Sequence, residues 1–338
     1  MVTIKDVAKM AGVSPSTVSR VIADNPRISL DTKKKVRKAM DVLGYHPNVN
    51  ARNLVAKSTK ALGVIMTSSA DKALQNPFFP EILRGIGSVA HHMGYSITLS
   101  TGITEEEILD EVKRMVYGSY VDGIMLLYSK IDDPIMDFLY EQNFPIVIVG
   151  KPYKNINEIT HVDNDNIEAG HEITRHLIEL GHEKIAFVGG FLDLIVTRDR
   201  LQGYKNALQE AQLPCPDNYK IHTEFLKSGG REAVDLLLNL ENPPTALVIS
   251  DDLMSLGVLN RLEEAGVSVP GDISVVSFNN VYLSEILRPP LTTVDIKIFD
   301  LGVYSTKALI EKTINNSEPA KRIIVQHDII YRESTKKI

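Results

Sequence analysis

The first 45 residues carry apolar side chains at helical spacing. Ile4, Val7 and Ala8 fall at i, i+3 and i+4 and form one face of a short helix. Thr3 stands before that face and Asp6 three residues later, the form of a capping box. Gly12 supplies a turn. Ser14 is a good N-cap, and Pro15 fits the first helical position, where its missing N–H costs nothing. Val18, Val21 and Ile22 make the face of a second helix, which Asn25-Pro26 breaks. A third helix over residues 31–44 is expected to turn Val36, Met40 and Leu43 inward and its lysines outward, with Gly44 ending it. Two short helices joined by a tight glycine turn predict a helix-turn-helix.

From residue 61 short β-rich runs alternate with amphipathic helices. Strands are predicted at 62–66, 96–100, 123–127, 146–149, 185–188, 246–249 and 273–277. Helices are predicted at 79–93, 104–117, 133–142, 167–180, 194–211, 229–240 and 252–265. Repeated βα units predict an α/β fold with parallel sheets covered on both faces, and the length of this part predicts two lobes. Such sheets bind ligands beyond the carboxyl ends of their strands. The rule selects Ser68-Ser69, Gly150-Lys151, Gly189-Gly190, Asp251-Asp252 and Asn279-Asn280. Loops of this composition suit a neutral polyhydroxylated ligand, whose hydroxyls both donate and accept.

Composition changes this picture through charge. The 338 residues have a net charge of −6, which by itself argues against nucleic acid. The distribution reverses that inference. Residues 1–60 hold 12 Lys and Arg against 4 Asp and Glu, a net of +8, and the other 278 residues hold 25 against 39, a net of −14. A small basic arm on an acidic body points to an anion-binding segment, although a solvated Lys-rich helix at 33–38 is the plainer alternative. In a helix-turn-helix the second helix enters the major groove and its N-terminal residues meet base edges, here Pro15, Ser16 and Thr17 with Arg20 one turn on. Arg20 suits a bidentate contact with guanine; Ser16 suits a base or a phosphate, and Thr17 and Ser19 a phosphate or simply solvent.

The single cysteine, Cys215, excludes an internal disulfide. The N-terminus lacks the apolar core of a signal peptide, and no apolar run nears the roughly 18–20 residues that span a bilayer. A soluble, cytoplasmic protein with no membrane partner is expected.

Thr3-Ile4-Lys5-Asp6-Val7-Ala8, Val13-Ser14-Pro15-Ser16-Thr17-Val18-Ser19-Arg20-Val21-Ile22, Leu43-Gly44-Tyr45-His46-Pro47-Asn48 and Ala51-Arg52-Asn53-Leu54 resemble the opening of the lactose-repressor/galactose-repressor family of transcriptional regulators. The resemblance continues to the C-terminus and implies a dimeric regulator of double-stranded operator DNA, switched by a sugar or other metabolite. It extends the DNA-contact set to Thr3, Ser14, Asn25, Tyr45, Asn50, Ala51 and Arg52. Residues 50–57 read as a helix too short to be stable alone. In the family this hinge folds when two copies meet over the minor groove, and a leucine at the place of Leu54 wedges between base pairs.

The resemblance also implies two periplasmic-binding-protein-like lobes with three crossings, placed near 161, 290 and 322. The expected domains are 1–47 for DNA binding, 48–60 for the hinge and linker, 61–161 plus 291–322 for the first lobe, and 162–290 plus 323–338 for the second. Arg198-Asp199-Arg200 resembles the family segment that carries an effector-binding arginine, at Arg200; an ion pair with Asp199 or Asp193 is the structural alternative. At Ile249-Ser250-Asp251-Asp252 the resemblance implies that Asp251 faces the cleft and Asp252 caps a helix; capping is the structural alternative for both and is preferred for Asp252. Asn279 stands where the family often has an acid. In Asn76-Pro77-Phe78-Phe79, Phe78 and Phe79 are expected to stack on the effector or to pack in the core. Ser69 and Lys151 complete the expected effector set. Lys151-Pro152-Tyr153 and 161–166 resemble maltose-operon regulators within the family.

Three features point toward enzymes and are set aside. Gly85-Ile86-Gly87-Ser88-Val89-Ala90 matches a dinucleotide fingerprint but lies inside a helical stretch, where close helix packing explains it better. His171 and His176, in a near-zincin sequence, are about 140° apart on a helix and share no face, and the adjacent His91 and His92 also diverge. No nucleophile elbow or P-loop occurs, and no cofactor, metal or catalytic residue is expected. A transport solute-binding protein and a cytoplasmic sugar enzyme are the other classes; the DNA motif opposes the first and the missing metal or phosphate constellation the second. Within the regulator class, a non-sugar metabolite or a protein co-effector stays open beside a sugar.

Overall fold

The computed structural model describes residues 2–45, 58–66 and 70–338. Asn50, Ala51, Arg52 and Leu54 of the expected hinge, and Ser69 of the expected effector set, lie outside the described residues. The chain divides into two compact units, Met1–Thr59 and Lys60–Ile338.

The first unit is built on α1 (Ile4–Ala11), α2 (Pro15–Ile22) and α3 (Leu30–Leu43). The Asp6 carboxylate accepts the Thr3 backbone N–H at 2.9 Å and the Thr3 hydroxyl at 2.7 Å, which fixes the first helix start. Gly12 and Gly44 end α1 and α3 at φ +66° and +60°, a region where side chains with a Cβ are strained. Val7, Ala8, Val18, Val21, Val36 and Ala39 are buried together, and Met40, Leu43 and Tyr45 pack around them. One expectation for α3 is corrected. Lys33 does not project outward: its ammonium lies 2.9 Å from Asp24 Oδ1 and its side chain is only 12% exposed, and Arg37 shares the same carboxylate at 3.0 Å.

The second unit holds two six-stranded sheets. In the first, the order is β11 (Arg322–Ile324), β5 (Thr160–Asp163), β4 (Ile146–Val149), β3 (Gly123–Leu126), β1 (Ala61–Ile65) and β2 (Ser96–Leu99), all parallel. In the second it is β12 (Asp328–Ile330), β10 (Thr292–Asp295), β9 (Ser274–Phe278), β8 (Ala246–Ile249), β6 (Ile185–Gly189) and β7 (Lys220–His222), parallel except for β12. β1, β3, β4, β6, β8 and β9 are buried along their whole lengths, as expected of strands covered on both faces.

Strands β5, β7, β10, β11 and β12 escape the sequence pattern because they are three or four residues long and each has at most two apolar residues (THVD, KIH, TTVD, RII, DII). A long helix, Ile298–Ile314, escapes it as well. Its buried residues include Ser305, Thr306 and Gly302 beside Leu301, Leu309 and Ile310, so no single apolar stripe marks it. This helix packs on Phe78–His92 at Gly85, where a Cβ would collide with the carbonyl of Phe299. The glycine of the would-be dinucleotide fingerprint thus serves close helix contact.

The crossings between lobes come later than expected. β5 belongs to the first sheet, whereas the helix Asn166–Glu179 packs on Ile195–Glu210 of the second lobe, so the first crossing is at 164–165 rather than 161. β10 belongs to the second sheet and Ile298–Ile314 to the first lobe, which moves the second crossing from 290 to 296–297. The third falls at 325–327, between β11 and β12, rather than at 322. The amide of Asn164 ties all three crossings: from the first it donates to the carbonyls of Ile296 at 3.0 Å and Val325 at 2.8 Å.

Candidate functional site

Between the two sheets of the second unit lies a cavity of about 320 Å³. Its walls come from the carboxyl ends of strands in both lobes, as the switch-point rule requires. Phe78, Phe79, Lys151, Arg200, Asp251 and Asn279 all line it.

On the second lobe, Asp251 does two things. Its Oδ1 accepts the N–H groups of Leu253 at 2.7 Å and Met254 at 3.3 Å, so it is the N-cap of Asp252–Glu264. Its Oδ2 accepts the amides of Asn279 at 2.8 Å and Asn76 at 2.9 Å. This corrects the expected division of labour, because Asp252 caps nothing. It is fully buried, accepting the N–H of Val281 at 2.9 Å and the hydroxyl of Thr293 at 3.1 Å, and so fastens the segment after β9 to β10. Asn279 follows β9 at φ +106°, a backbone region that Asn tolerates better than most residues.

Arg200 forms no direct ion pair with Asp199 or Asp193. Its Nε donates to Asn166 Oδ1 at 3.0 Å, its Nη1 to the Ser250 carbonyl at 2.7 Å, and its guanidinium lies 4.3 Å from the Phe278 ring centroid. The helix carrying it lies close against Asn166–Glu179, where a Cβ on Gly170 would approach the Arg200 carbonyl to 2.5 Å. Burial lowers the Arg200 pKa to about 10 against the pull of Asp251 and Asp163. Asp163, whose Oδ1 accepts from Asn164 N and Asn166 Nδ2, is pushed up to about 7 by burial. Asp252 is likewise raised to about 7, and Asp251 is also raised, both chiefly by burial. One guanidinium therefore stands among three buried carboxyls that resist ionisation.

Aromatic rings supply the apolar walls. Phe78 and Phe79 meet edge to face at 5.2 Å; Phe79 is buried in the core, Phe78 is half-buried, and both line the cavity. Phe191, Phe225 and Tyr128 add to them and were not legible in sequence. Thr223 Oγ1 and Ser250 Oγ are buried in the lining without a protein partner among the described residues. Thr223 and Phe225 follow β7, the strand too short to predict. Asn76 lies inside a motif singled out in sequence, but its reach to Asp251 is a tertiary fact. Lys151 donates to both oxygens of Asp199, at 3.0 and 2.8 Å.

In the first unit, Ser14 Oγ accepts the Thr17 N–H at 3.2 Å and shares hydrogen bonds with the hydroxyls of Ser16 at 2.8 Å and Thr17 at 2.9 Å. Pro15, Ser16, Ser19 and Arg20 are exposed, and among the described residues Arg20 has no ion-pair partner. Asn25 Oδ1 accepts the Arg27 N–H at 2.9 Å and shapes the turn after α2. His171 pairs with Glu210 at 2.7 Å whereas His176 packs on Tyr331, so the two rings do not converge. Among the described residues no helix is long and apolar enough to cross a membrane.

A helix-turn-helix unit joined to a two-lobed α/β core with an inter-lobe cavity defines a DNA-binding regulator of the ligand-switched kind. Residues 3–48 match the bacterial regulatory proteins of the lacI family, and residues 174–335 match a periplasmic binding protein-like domain. The HTH-type transcriptional regulator MalR of Streptococcus pneumoniae serotype 4 is 41% identical over 97% of this chain and 99% of its own. A solved complex of the transcriptional regulator CelR with cellobiose is 30% identical, with a TM-score of 0.78, over 99% of this chain and 100% of its own. The lac repressor dimer bound to operator and the anti-inducer ONPF is 27% identical, with a TM-score of 0.87, over 99% of both chains. The chain belongs to the LacI family of transcriptional regulators.

Proposed function

We propose that this regulator represses genes of maltose or maltodextrin use, binds a pseudo-palindromic operator as a homodimer in the cytoplasm, and is released by a sugar in the inter-lobe cavity. The observation that carries the reading is the cavity itself: aromatic walls around Arg200, Asp251 and Asn279 suit the apolar faces and hydroxyls of a neutral disaccharide. The unpartnered hydroxyls of Thr223 and Ser250 favour a ligand rich in hydrogen-bonding groups. The similarity to MalR, together with Lys151-Pro152-Tyr153, favours maltose within that class. Ser69, Phe78 and Phe79 complete the effector contacts, with Lys151 at the rim.

On DNA, Arg20 reads a base in the major groove, with Pro15, Ser16 and Thr17 beside it. Thr3, Ser14, Ser19, Asn25, Tyr45, Asn50, Ala51 and Arg52 meet the backbone or the hinge region, and Leu54 wedges into the minor groove. The effector shifts the lobes by its differential affinity for two states, a coupling of about 1–3 kcal/mol, and thereby resets the spacing of the hinges.

A thermal-shift panel of maltose, maltodextrins, cellobiose, glucose and sugar phosphates tests this, paired with electrophoretic retardation of a palindromic operator. Maltose or maltodextrin should stabilise the protein and release the operator. Release by a sugar phosphate instead would overturn the neutral-sugar reading, and no hit in the panel would move the effector to a non-sugar metabolite or a protein.

A further inference from the structure

Every ion pair that spans the cleft among the described residues has its cation on the first lobe and its carboxylate on the second. Lys72 meets Glu224 at 3.2 Å, Lys130 meets Asp193 at 3.6 Å, and Lys151 meets Asp199 at 2.8 Å. All six residues line the cavity. All three pairs are partly open to solvent, where screening leaves an isolated pair weak, and Lys130 is shared with Glu105 of its own lobe at 3.4 Å. Asp199, 15% exposed, is the most buried of the three carboxylates, against 47% for Glu224 and 45% for Asp193. Beside the second pair the main chains also join: the Ile131 N–H donates to the Asp193 carbonyl at 2.8 Å, and the Ile195 N–H to the Ser129 carbonyl at 3.0 Å, an antiparallel bridge between lobes.

This polarity has a consequence for closure. Pairs of mixed polarity would attract only at contact, whereas rims of opposite sign attract as the lobes approach, over about a Debye length of 8–10 Å. Asp199 directly precedes Arg200 on Ile195–Glu210, so drawing Asp199 to Lys151 carries the guanidinium toward Asp163 of the first lobe. Lys151 stands just beyond the end of β4, after Gly150, so its backbone stays close to its sheet.

We propose that Lys151 and Asp199 are an inter-lobe positioning pair: they close the lobes, seat Arg200 and set the strength of the effector response, without Lys151 touching the effector. This rests on the reading of the cavity as an effector site. The sequence has no tryptophan, so Leu192→Trp, at a half-exposed position beside Asp193, gives a single reporter of the rim. In that background, Lys151→Asp and Asp199→Lys should each red-shift the emission and weaken maltose binding by at least about fivefold. The combined Lys151→Asp/Asp199→Lys swap should restore both. Lys151→Gln and Asp199→Asn, which remove attraction without adding repulsion, should shift emission less and in the same direction. Raising NaCl from about 0.05 M to about 1 M should move the unsubstituted pair toward the neutral variants. Unchanged emission in both charge reversals, or a swap no better than either, overturns the proposal. If maltose binds no form, the maltose reading falls and the emission shifts alone decide the pair's role.

Discussion

The side-chain amide of Asn76 donates to Oδ2 of Asp251 at 2.9 Å and so joins the first lobe to the second across the cavity. The same oxygen accepts Asn279 at 2.8 Å, while Oδ1 caps the following helix. One carboxylate therefore holds a helix start, a strand end and the opposite lobe. Asp251→Ala should remove the cap and strand two buried amides, destabilising the protein by about 2–4 kcal/mol on urea unfolding. Asp251→Asn should keep the cap but turn an amide toward Asn76 and Asn279, or give up the cap to satisfy them. A variant as stable as the parent would show that these bonds do not matter.

Arg200 is the one guanidinium among Asp163, Asp251 and Asp252. Arg200→Ala should abolish operator release by sugar while leaving operator affinity intact, because the DNA-reading residues belong to the other unit. Arg200→Lys should not rescue the response, since an ammonium cannot reproduce a planar fork held by Asn166 and the Ser250 carbonyl. An unaltered sugar dose-response would remove Arg200 from the site.

Arg20 is exposed on α2 behind the Ser14, Ser16 and Thr17 hydroxyl cluster. Arg20→Ala should cost about 1–3 kcal/mol on operator and relax specificity at one base pair in each half-site. Equal losses on operator and random DNA, measured at one salt concentration, would reassign it to the backbone.

Burial raises Asp252 from the usual carboxylate range to about 7. A carboxyl whose folded pKa is raised binds its proton more tightly in the native state, so its contribution to stability is greatest at low pH. It is lost as pH rises through that window and levels off above about 7. Asp252→Asn cannot ionise. The melting-temperature advantage of the parent over this variant should therefore shrink between mildly acidic and neutral pH. An advantage that grows with pH would reverse the assignment.

Asn164 donates to carbonyls on the other two crossings. Asn164→Ala should leave the Ile296 and Val325 carbonyls short of a donor, at about 1–3 kcal/mol by thermal or urea unfolding. Sugar-induced operator release should also become less complete, because the crossings no longer move as one. Full release with unchanged stability would make Asn164 incidental.

The helix-turn-helix was legible because every signal for it is local. The Thr3–Asp6 box, Ser14 with Pro15, and glycines at 12 and 44 each act within a turn or two of chain, and the valines mark the buried faces directly. The basic arm was equally plain once charge was read by segment. Gly150, Lys151, Asp251 and Asn279 were also legible, because each follows a strand whose apolar run is plain in sequence; the lining residues after β3, β5, β6, β7 and β10 were not.

Tertiary structure decided what no short window holds. Asp251 and Asp252 are adjacent, chemically identical and both buried; where the helix begins makes Asp251 the cap, and the positions of Asn76, 175 residues away, and of Val281 and Thr293 decide what the remaining carboxylate oxygens hold. Lys33 looks like its neighbours until Asp24 draws it in. Short polar strands such as Thr160–Asp163 gain their order from the sheet beside them and not from their own composition. Local sequence dictates which pieces form and where the polar groups stand along the chain. The tertiary structure decided which of those groups meet, because hydrogen bonds and buried charges depend on distances in space that sequence separation does not set.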